Sequence, residues 1–581
     1  MHSEIVKFVK KFYISFIFIT IFIFINIFLQ TIPSKLIGII IDLLSDIQNN
    51  KDKIISNIYV LIGSGIVIIF IRVIWKYLTS VVTRTFEKDL RDSLYIHFLK
   101  INLSDIINIK NGEIMAHFIR DVNEVKRFVY SIISDGIRVF AVFIVTINAM
   151  RLINISLTIA VICPIFITAF LAVIIRRHVE NNSKKSQKYY TKLSEFVQES
   201  TDSIRTTKAY SQEDDQIKKF IKRNTLLKKG NFSVDFYSSL LDILVSLCLG
   251  ICYSIILVYG SHLVINNKIS IGDFVAFNGY VNLFYWPLFS VARISIRYKR
   301  AMISYKRLDR IFNLEEEKIL SRDENINYIH GDIKIAGLSF NYPEYIDQVL
   351  DNINLEIKEG QTLGIIGTIG SGKTTLMNLL LRLYKVPDGK IFIGGQDINN
   401  IDLVDLRKSI CYITQDNFLF STSIKDNISL FQDKFKDEEI KDSTEKAMLS
   451  EDLREMHEGI NTIIGEKGID LSGGQKQRVV ISRAFLNKCN IVIFDDTFSA
   501  LDNKTEEYLL KNIKKLVEGK TCIIISNRIS DVKHADNIIV LDDGMIIESG
   551  NHKTLLKEKG LYYKFHRQQS SKNNEIFNEV Y

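Results

Sequence analysis

Gly367-Thr368-Ile369-Gly370-Ser371-Gly372-Lys373-Thr374 follows an apolar run, Thr362-Leu363-Gly364-Ile365-Ile366, and opens a helical pattern over Thr375–Leu383. Strand, glycine-rich loop and helix in that order make a phosphate cradle. Backbone N–H groups line the loop, and the phosphates sit at a helix N-terminus. Lys373 brings a point charge to the β- and γ-phosphates, and Thr374 brings a hydroxyl to Mg²⁺. Downstream, Ile491-Val492-Ile493-Phe494-Asp495-Asp496 reads as a buried strand ending in acids. Asp495 is placed there to hold Mg²⁺ through its water shell. Gly367, Thr368, Gly370, Ser371, Gly372, Lys373, Thr374 and Thr375 are the expected contacts to ATP.

The 581 residues are too many for one domain, and 47% hydrophobic beside 24% charged residues suggests a segregated molecule, part membrane-embedded and part water-soluble. The net charge of +8 sits beside long apolar runs. It suits cytoplasmic flanks of membrane spans better than a nucleic-acid face, and no nucleic-acid partner is expected. Six cysteines (Cys163, Cys248, Cys252, Cys411, Cys489, Cys522) lack metal-ligand spacing. The apolar run from Phe12 follows Lys7, Lys10 and Lys11, but it is too long for a signal peptide and has no small-residue cleavage site. It reads as a retained first membrane helix.

Six stretches are long enough to span a bilayer: Phe12–Leu44, Ile55–Leu78, Val129–Arg151, Ile153–Ile175, Leu240–Ile265 and Phe274–Ile294. Short connections alternate with two long ones, Lys76–Phe128 and Arg176–Gly230, which carry 9 and 14 Lys/Arg. The positive-inside rule makes the long segments and both termini cytoplasmic. Their helical patterning suggests spans that continue into the cytoplasm and turn back. After the sixth span the chain is basic, then acidic at Glu315–Lys318, and from Gly331 short strands and helices alternate. The expected division is a membrane domain over 1–312, a linker over 313–330, a nucleotide domain over 331–569 and a loose polar tail over 570–581.

Leu471-Ser472-Gly473-Gly474-Gln475 adds a second motif just upstream of the Asp495 strand. With the phosphate loop it makes the chain resemble the ATP-binding-cassette (ABC) proteins, and six spans with long intracellular extensions resemble the exporter-type membrane domain of that family. The resemblance implies a membrane all-α domain of six transmembrane helices followed by an α/β P-loop NTPase domain, located in the cytoplasmic membrane. It implies that Gln415 senses Mg²⁺ and the attacking water, and that Tyr342 stacks on adenine, although Tyr342 also reads as a half-exposed strand aromatic. In the family, the signature of one subunit completes the P-loop site of the other, so Ser472, Gly473, Gly474 and Gln475 would meet a partner's ATP. Glu466 and Gly468 match a stretch that meets the partner's membrane helices, and Ser499-Ala500-Leu501-Asp502 matches the loop that crosses the dimer seam. Ile106–Ile119 and Ser203–Asp214 match segments that dock on nucleotide domains; the plainer alternative is a solvated helical hairpin.

Two positions depart from the family pattern. A glutamate is expected after Asp495, and Asp496 stands there; a histidine is expected in Ile525-Ser526-Asn527-Arg528, and Asn527 stands there. A carboxylate must reach the hydrolytic water, and Asp496 is one methylene short, a setback of about 1 Å that can cost roughly a hundredfold. Asn527 hydrogen-bonds but carries no cationic form. Asp496, Gln415 and Asn527 are therefore the catalytic positions, in a site expected to bind ATP and cut it slowly. The reading favoured is one half of a heterodimeric exporter. A homodimer with two slow sites, a nucleotide-gated channel or an importer are the alternatives. Cargo is poorly marked: a drug-like amphipath, lipid or small peptide, with Arg138 near mid-span and aromatics Phe284 and Tyr285, expected to pack, beside Trp286-Pro287, which is expected to kink the sixth helix. No peptidase segment precedes the first helix, which speaks against a leader-cleaving peptide exporter.

Overall fold

The apolar runs form helices far longer than a bilayer requires. In the computed structural model, which describes residues 2–107, 109, 111–317, 328–342, 348–465, 471–497 and 503–578, they are α1 (His2–Leu43), α2 (Ile47–Phe98), α7 (Ile155–Asp202) and α9 (Glu213–Ile255). Between α2 and α7 lie α3 (Leu103–Ile107), α4 (Asn111–Ala116), α5 (Val122–Ser131) and α6 (Ile137–Ile153). The remainder are α8 (Ile204–Ala209), α10 (Ser261–Ile265), α11 (Ile271–Asn282) and α12 (Tyr285–Phe312). At about 1.5 Å per residue, α2 would run far past a hydrocarbon core of about 30 Å, so its polar half continues into water. Exposed Ile66, Phe70, Phe140, Phe170, Leu257 and Val258 are lipid-facing residues on this reading.

Continuous helical stretches long and apolar enough to cross a membrane run over Lys10–Phe98, Gly112–Ile153, Ile155–Asp202 and Glu213–Ile265. The first contains both of the first two predicted spans, joined by the 3₁₀ turn Leu44–Asp46. The predicted sixth span, Phe274–Ile294, is not one helix: it breaks at Leu283–Phe284 between α11 and α12. Pro287 explains the place. Lacking an N–H, it is tolerated only in the first turn of α12 and stops the preceding helix from running through. Pro164, by contrast, sits inside α7 without ending it.

The chain divides into two compact units, Met1–Leu99 with Ile109–Leu314, and Lys100–Asn108 with Glu315–Tyr581. The tip of the first long extension therefore belongs to the nucleotide unit. Ile101 bridges Glu316, Glu317 N–H donates to Lys100 O at 2.7 Å, and Lys385 pairs with Glu315 at 2.7 Å. This tip, α3, lies mostly before the expected docking segment Ile106–Ile119, whose residues from Ile109 on belong to the first unit. Within the first unit, Asp121 is buried and accepts from His117 Nδ1 at 2.8 Å, Ser304 Oγ at 2.8 Å and Arg307 Nη1 at 3.2 Å. These bonds tie the returning extension to α12.

The second unit carries two sheets. One is antiparallel in the order β2-β1-β4-β5, with β1 (Ile333–Phe340), β2 (Leu350–Ile357), β4 (Ile391–Ile393) and β5 (Gln396–Asp397). The other runs β10-β9-β3-β8-β7-β6, with β3 (Thr362–Gly367), β6 (Ile410–Ile413), β7 (Ile491–Asp495), β8 (Thr521–Ile525), β9 (Asn537–Asp542) and β10 (Met545–Gly550). Pairings among β9, β3, β8, β7 and β6 are all parallel. Every residue of β7 and β8 is buried, which explains their unbroken apolar runs. Within the tail expected over 570–581, the described residues continue the helix Leu561–Asn578. The linker reading over 313–330 falls partly outside the described residues, as do Glu466, Gly468 and Ser499–Asp502.

Candidate nucleotide site

Parallel order decides the site. With β3, β8, β7 and β6 side by side, their carboxyl ends put four loops on one edge: the P-loop after β3, Ser526–Ile529 after β8, Asp496 after β7 and Gln415 after β6. Residues separated by more than a hundred positions become neighbours, as expected for ligand sites at the carboxyl edge of α/β sheets. Asp495 is in register with Ile525, and Asp496 N–H donates to Ile525 O at 2.9 Å.

The P-loop turns on two glycines with positive φ, Gly370 at 85° and Gly372 at 96°. A Cβ on Gly372 would lie 2.6 Å from Leu350 Cδ2 and one on Gly367 2.0 Å from Leu541 O, so neither position has room for a side chain. Lys373 opens the helix Lys373–Leu380. Its ammonium donates to Gly367 O at 2.9 Å and Thr368 O at 2.7 Å. Burial pushes the Lys373 pKa down, while the charges of Asp495 and Asp496 oppose that shift. Thr368 Oγ1 donates to Asp542 Oδ1 at 2.7 Å, and Ser371 is buried.

Asp495 is almost fully buried, and one oxygen, Oδ2, accepts from both Thr374 Oγ1 at 3.1 Å and Tyr412 OH at 2.9 Å. Desolvation raises its carboxyl pKa and is partly offset by these two hydrogen bonds and by Lys373. Asp496 is half-buried and takes φ 47°, a left-handed conformation that a short acid adopts at low cost. Gln415 and Asn527 are both exposed. Tyr342 is half-buried, edge-on to Tyr384 with ring centroids 5.0 Å apart, and its hydroxyl shares a 2.9 Å hydrogen bond with Thr375 Oγ1. The expected adenine platform is thus tethered to the first turn of the P-loop helix.

Ser472 caps the helix Gly473–Leu486 in a capping box with Gln475: Ser472 N–H donates to Gln475 Oε1 at 3.0 Å, and Gln475 N–H to Ser472 Oγ at 3.3 Å. Gln475 Nε2 and Arg478 both reach Asp452, at 3.0 Å and 2.7 Å, which anchors this end of the helix. Ser472 and Gly473 themselves are exposed.

Two groups at this edge escape motif reading. Tyr412 is an internal residue of a short strand, and only its hydroxyl against Asp495 reveals it. Gln569 lies in the segment expected to be near the loose end, yet its Nε2 donates to Asn527 O at 2.8 Å and its Oε1 accepts from Ile529 N–H at 2.9 Å. No residue spacing advertises either contact.

Among the described residues, two cavities of the membrane unit are large enough for a small molecule and lined partly by apolar side chains. One of about 590 Å³ lies among α1, α6 and α11, with Thr31, Asn148 and Tyr280 in its wall. The other, about 500 Å³, is walled by Phe8, Phe86, Phe128, Tyr298 and Met302. Of the aromatics beside Pro287, Phe284 is fully buried against Phe143, so it packs.

Comparison with known proteins agrees with this architecture. The family of the ABC transporter transmembrane region matches residues 16–288, and the ABC transporter family matches residues 350–499. A probable multidrug resistance ABC transporter ATP-binding/permease protein of Bacillus subtilis, YheI, is 33% identical over 83% of each chain. The multidrug resistance-like ATP-binding protein MdlA of Buchnera aphidicola (subsp. Schizaphis graminum) is 33% identical over 92% of each. The solved structure of a bacterial Atm1-family ABC exporter with ATP bound superimposes with TM-score 0.81 at 21% identity, covering 97% of this chain and 99% of that one. The chain belongs to the ABC transporters, with an exporter-type membrane domain ahead of its ATPase domain. It is a membrane protein that binds ATP and couples ATP hydrolysis to transport, its ATP-binding domain on the cytoplasmic side. ABC exporters work as dimers.

Proposed function

We propose that this chain is the weakly hydrolytic half of a heterodimeric exporter for small amphipathic compounds. One observation carries the reading. Asp496 and Asn527 follow the adjacent parallel strands β7 and β8, on the sheet edge that also carries the P-loop with Lys373, Thr374 and Asp495. Lys373 would grip the β- and γ-phosphates, Gly370 and Gly372 would let the backbone close on them, and Tyr342 would support the base. The oxygen pair Thr374 Oγ1 and Asp495 Oδ2 suits a hard divalent cation, so these residues would hold Mg²⁺. When bound, Mg²⁺ neutralises charge on the β- and γ-phosphates. Asp496 would then orient the attacking water from too far back, and Asn527 would meet the γ-phosphate with an uncharged amide.

Ser472 and Gly473, exposed at a capped helix start, and the half-buried Gly474 would complete the partner's ATP site instead. Closure of the two nucleotide domains on ATP would pass to the spans through the helical extensions, and hydrolysis at the partner-supplied site would reset them. The amphipathic cargo is supported by the multidrug description of the Bacillus relative and by cavities within the usual ligand range of about 300–1,000 Å³.

The test is reconstitution in lipid nanodiscs, of the chain alone and with a second half-transporter that has the glutamate and histidine but an altered signature. The expected result is slow ATPase alone and at least a tenfold rise with the partner. A stable self-dimer with brisk ATPase that Asp496→Ala abolishes would reject the heterodimer.

A further inference from the structure

The C-terminal helix Leu561–Asn578 is seated by one face. Tyr562 is completely buried and, with Leu561 and Phe565, packs in a cluster that includes Ile366 of β3, Ile529 and Val540. Its start is fixed twice over. His552 Nδ1 meets Tyr562 OH at 2.8 Å, and Glu548 accepts from the N–H groups of Leu561 and of Tyr562, the latter at 3.1 Å. Gln569 stands seven residues beyond Tyr562, two helical turns on and on the same face.

That placement aims one side-chain amide at a loop of backbone. Gln569 Nε2 donates to Asn527 O at 2.8 Å while Oε1 accepts from Ile529 N–H at 2.9 Å. A single planar group therefore spans Arg528 and fixes the path of the chain on either side of it. The inner side of the loop is held separately: Ser526 Oγ donates to Asp531 Oδ2 at 2.6 Å and accepts from Arg528 N–H at 3.0 Å. Asn527 keeps an exposed side chain on a backbone clamped by these contacts. An apolar residue at 569 would leave both backbone groups without these partners.

We infer that Gln569 is a positioning residue that sets the loop carrying Asn527 for its encounter with the γ-phosphate. The inference rests on the proposed reading of Asn527 as the γ-phosphate-facing residue. Its action is indirect, through the backbone, so it should govern turnover and γ-phosphate discrimination without touching the grip on the diphosphate.

The test uses the full chain in nanodiscs with the pair Asp496→Glu/Asn527→His, with and without Gln569→Leu. Gln569→Glu serves as a near-isosteric second variant that keeps the acceptor for Ile529 but turns a carboxylate oxygen on Asn527 O. Expected are a rise in kcat for the pair, then a fall of about tenfold with Gln569→Leu and a smaller fall with Gln569→Glu. Affinity for ADP should move less than about twofold, while the preference for ATP over ADP falls with Gln569→Leu. If the pair raises kcat and neither Gln569 variant lowers it, the positioning role is wrong while the weak-site reading stands. If the pair does not raise kcat, the weak-site reading fails. The positioning role is then judged on the otherwise unaltered chain by ATP-over-ADP preference: a fall of about tenfold with Gln569→Leu supports it, and no change overturns it.

Discussion

Two corners of one sheet edge are built to different standards. At the gripping corner, Lys373, Thr374 and Asp495 are tied to one another or to the loop, and Asp495 is almost fully buried with two donors on one oxygen. At the reading corner, Asp496 and Asn527 are half-buried and exposed, and the Asn527 backbone depends on an amide borrowed from the far end of the chain. Burial and multiple hydrogen bonds pre-organise the first corner. The second carries a short acid and an uncharged amide, and its backbone is still held.

The largest effect should come from attacking the grip. Lys373→Ala removes a half-buried charge, and a loss of about 3 kcal/mol would weaken ATP binding by about two orders of magnitude, measured by nucleotide titration of the full chain. If affinity changed less than tenfold, the gripping corner would not be the main holder of nucleotide. Next, in the two-chain complex, Ser472→Ala should cut turnover by about a hundredfold, in the range for removing a preorganised donor. Asp496→Ala should alter it by less than about twofold. The reverse order of the two would undo the contrast between corners. The smallest effect is Tyr412→Phe, which takes one neutral hydrogen bond of about 1 kcal/mol from Asp495. It should raise the Mg²⁺ concentration for half-maximal ATP binding about fivefold, with ADP binding in EDTA unchanged. An unshifted Mg²⁺ curve would mean that Asp495 is held well enough by Thr374 alone.

Much of this was open to reading from spacing. The P-loop, the strand ending at Asp495 and the signature are local patterns, because a phosphate cradle or a helix start needs particular residue types at fixed offsets. The long spans were equally plain, since a bilayer demands unbroken apolar length. The Trp286-Pro287 pair inside Phe274–Ile294 announces a bend, and the structure breaks the helix there into α11 and α12. Reading fell short where the decisive partner lay elsewhere in the chain. Tyr562 and Phe565 seat the start of the C-terminal helix against β3 through contacts that no spacing announces.

Residue type and order alone pointed to an ABC exporter-type chain with a phosphate loop, a signature, and Asp496 and Asn527 where the family pattern has glutamate and histidine. Only the tertiary structure showed that Tyr412 braces Asp495, that α3 belongs to the nucleotide unit and that Gln569 clamps the loop of Asn527. The reason is physical. A motif records short-range geometry, whereas a hydrogen bond between residues 42 or 83 positions apart exists only once parallel strand order and helix packing have brought them together.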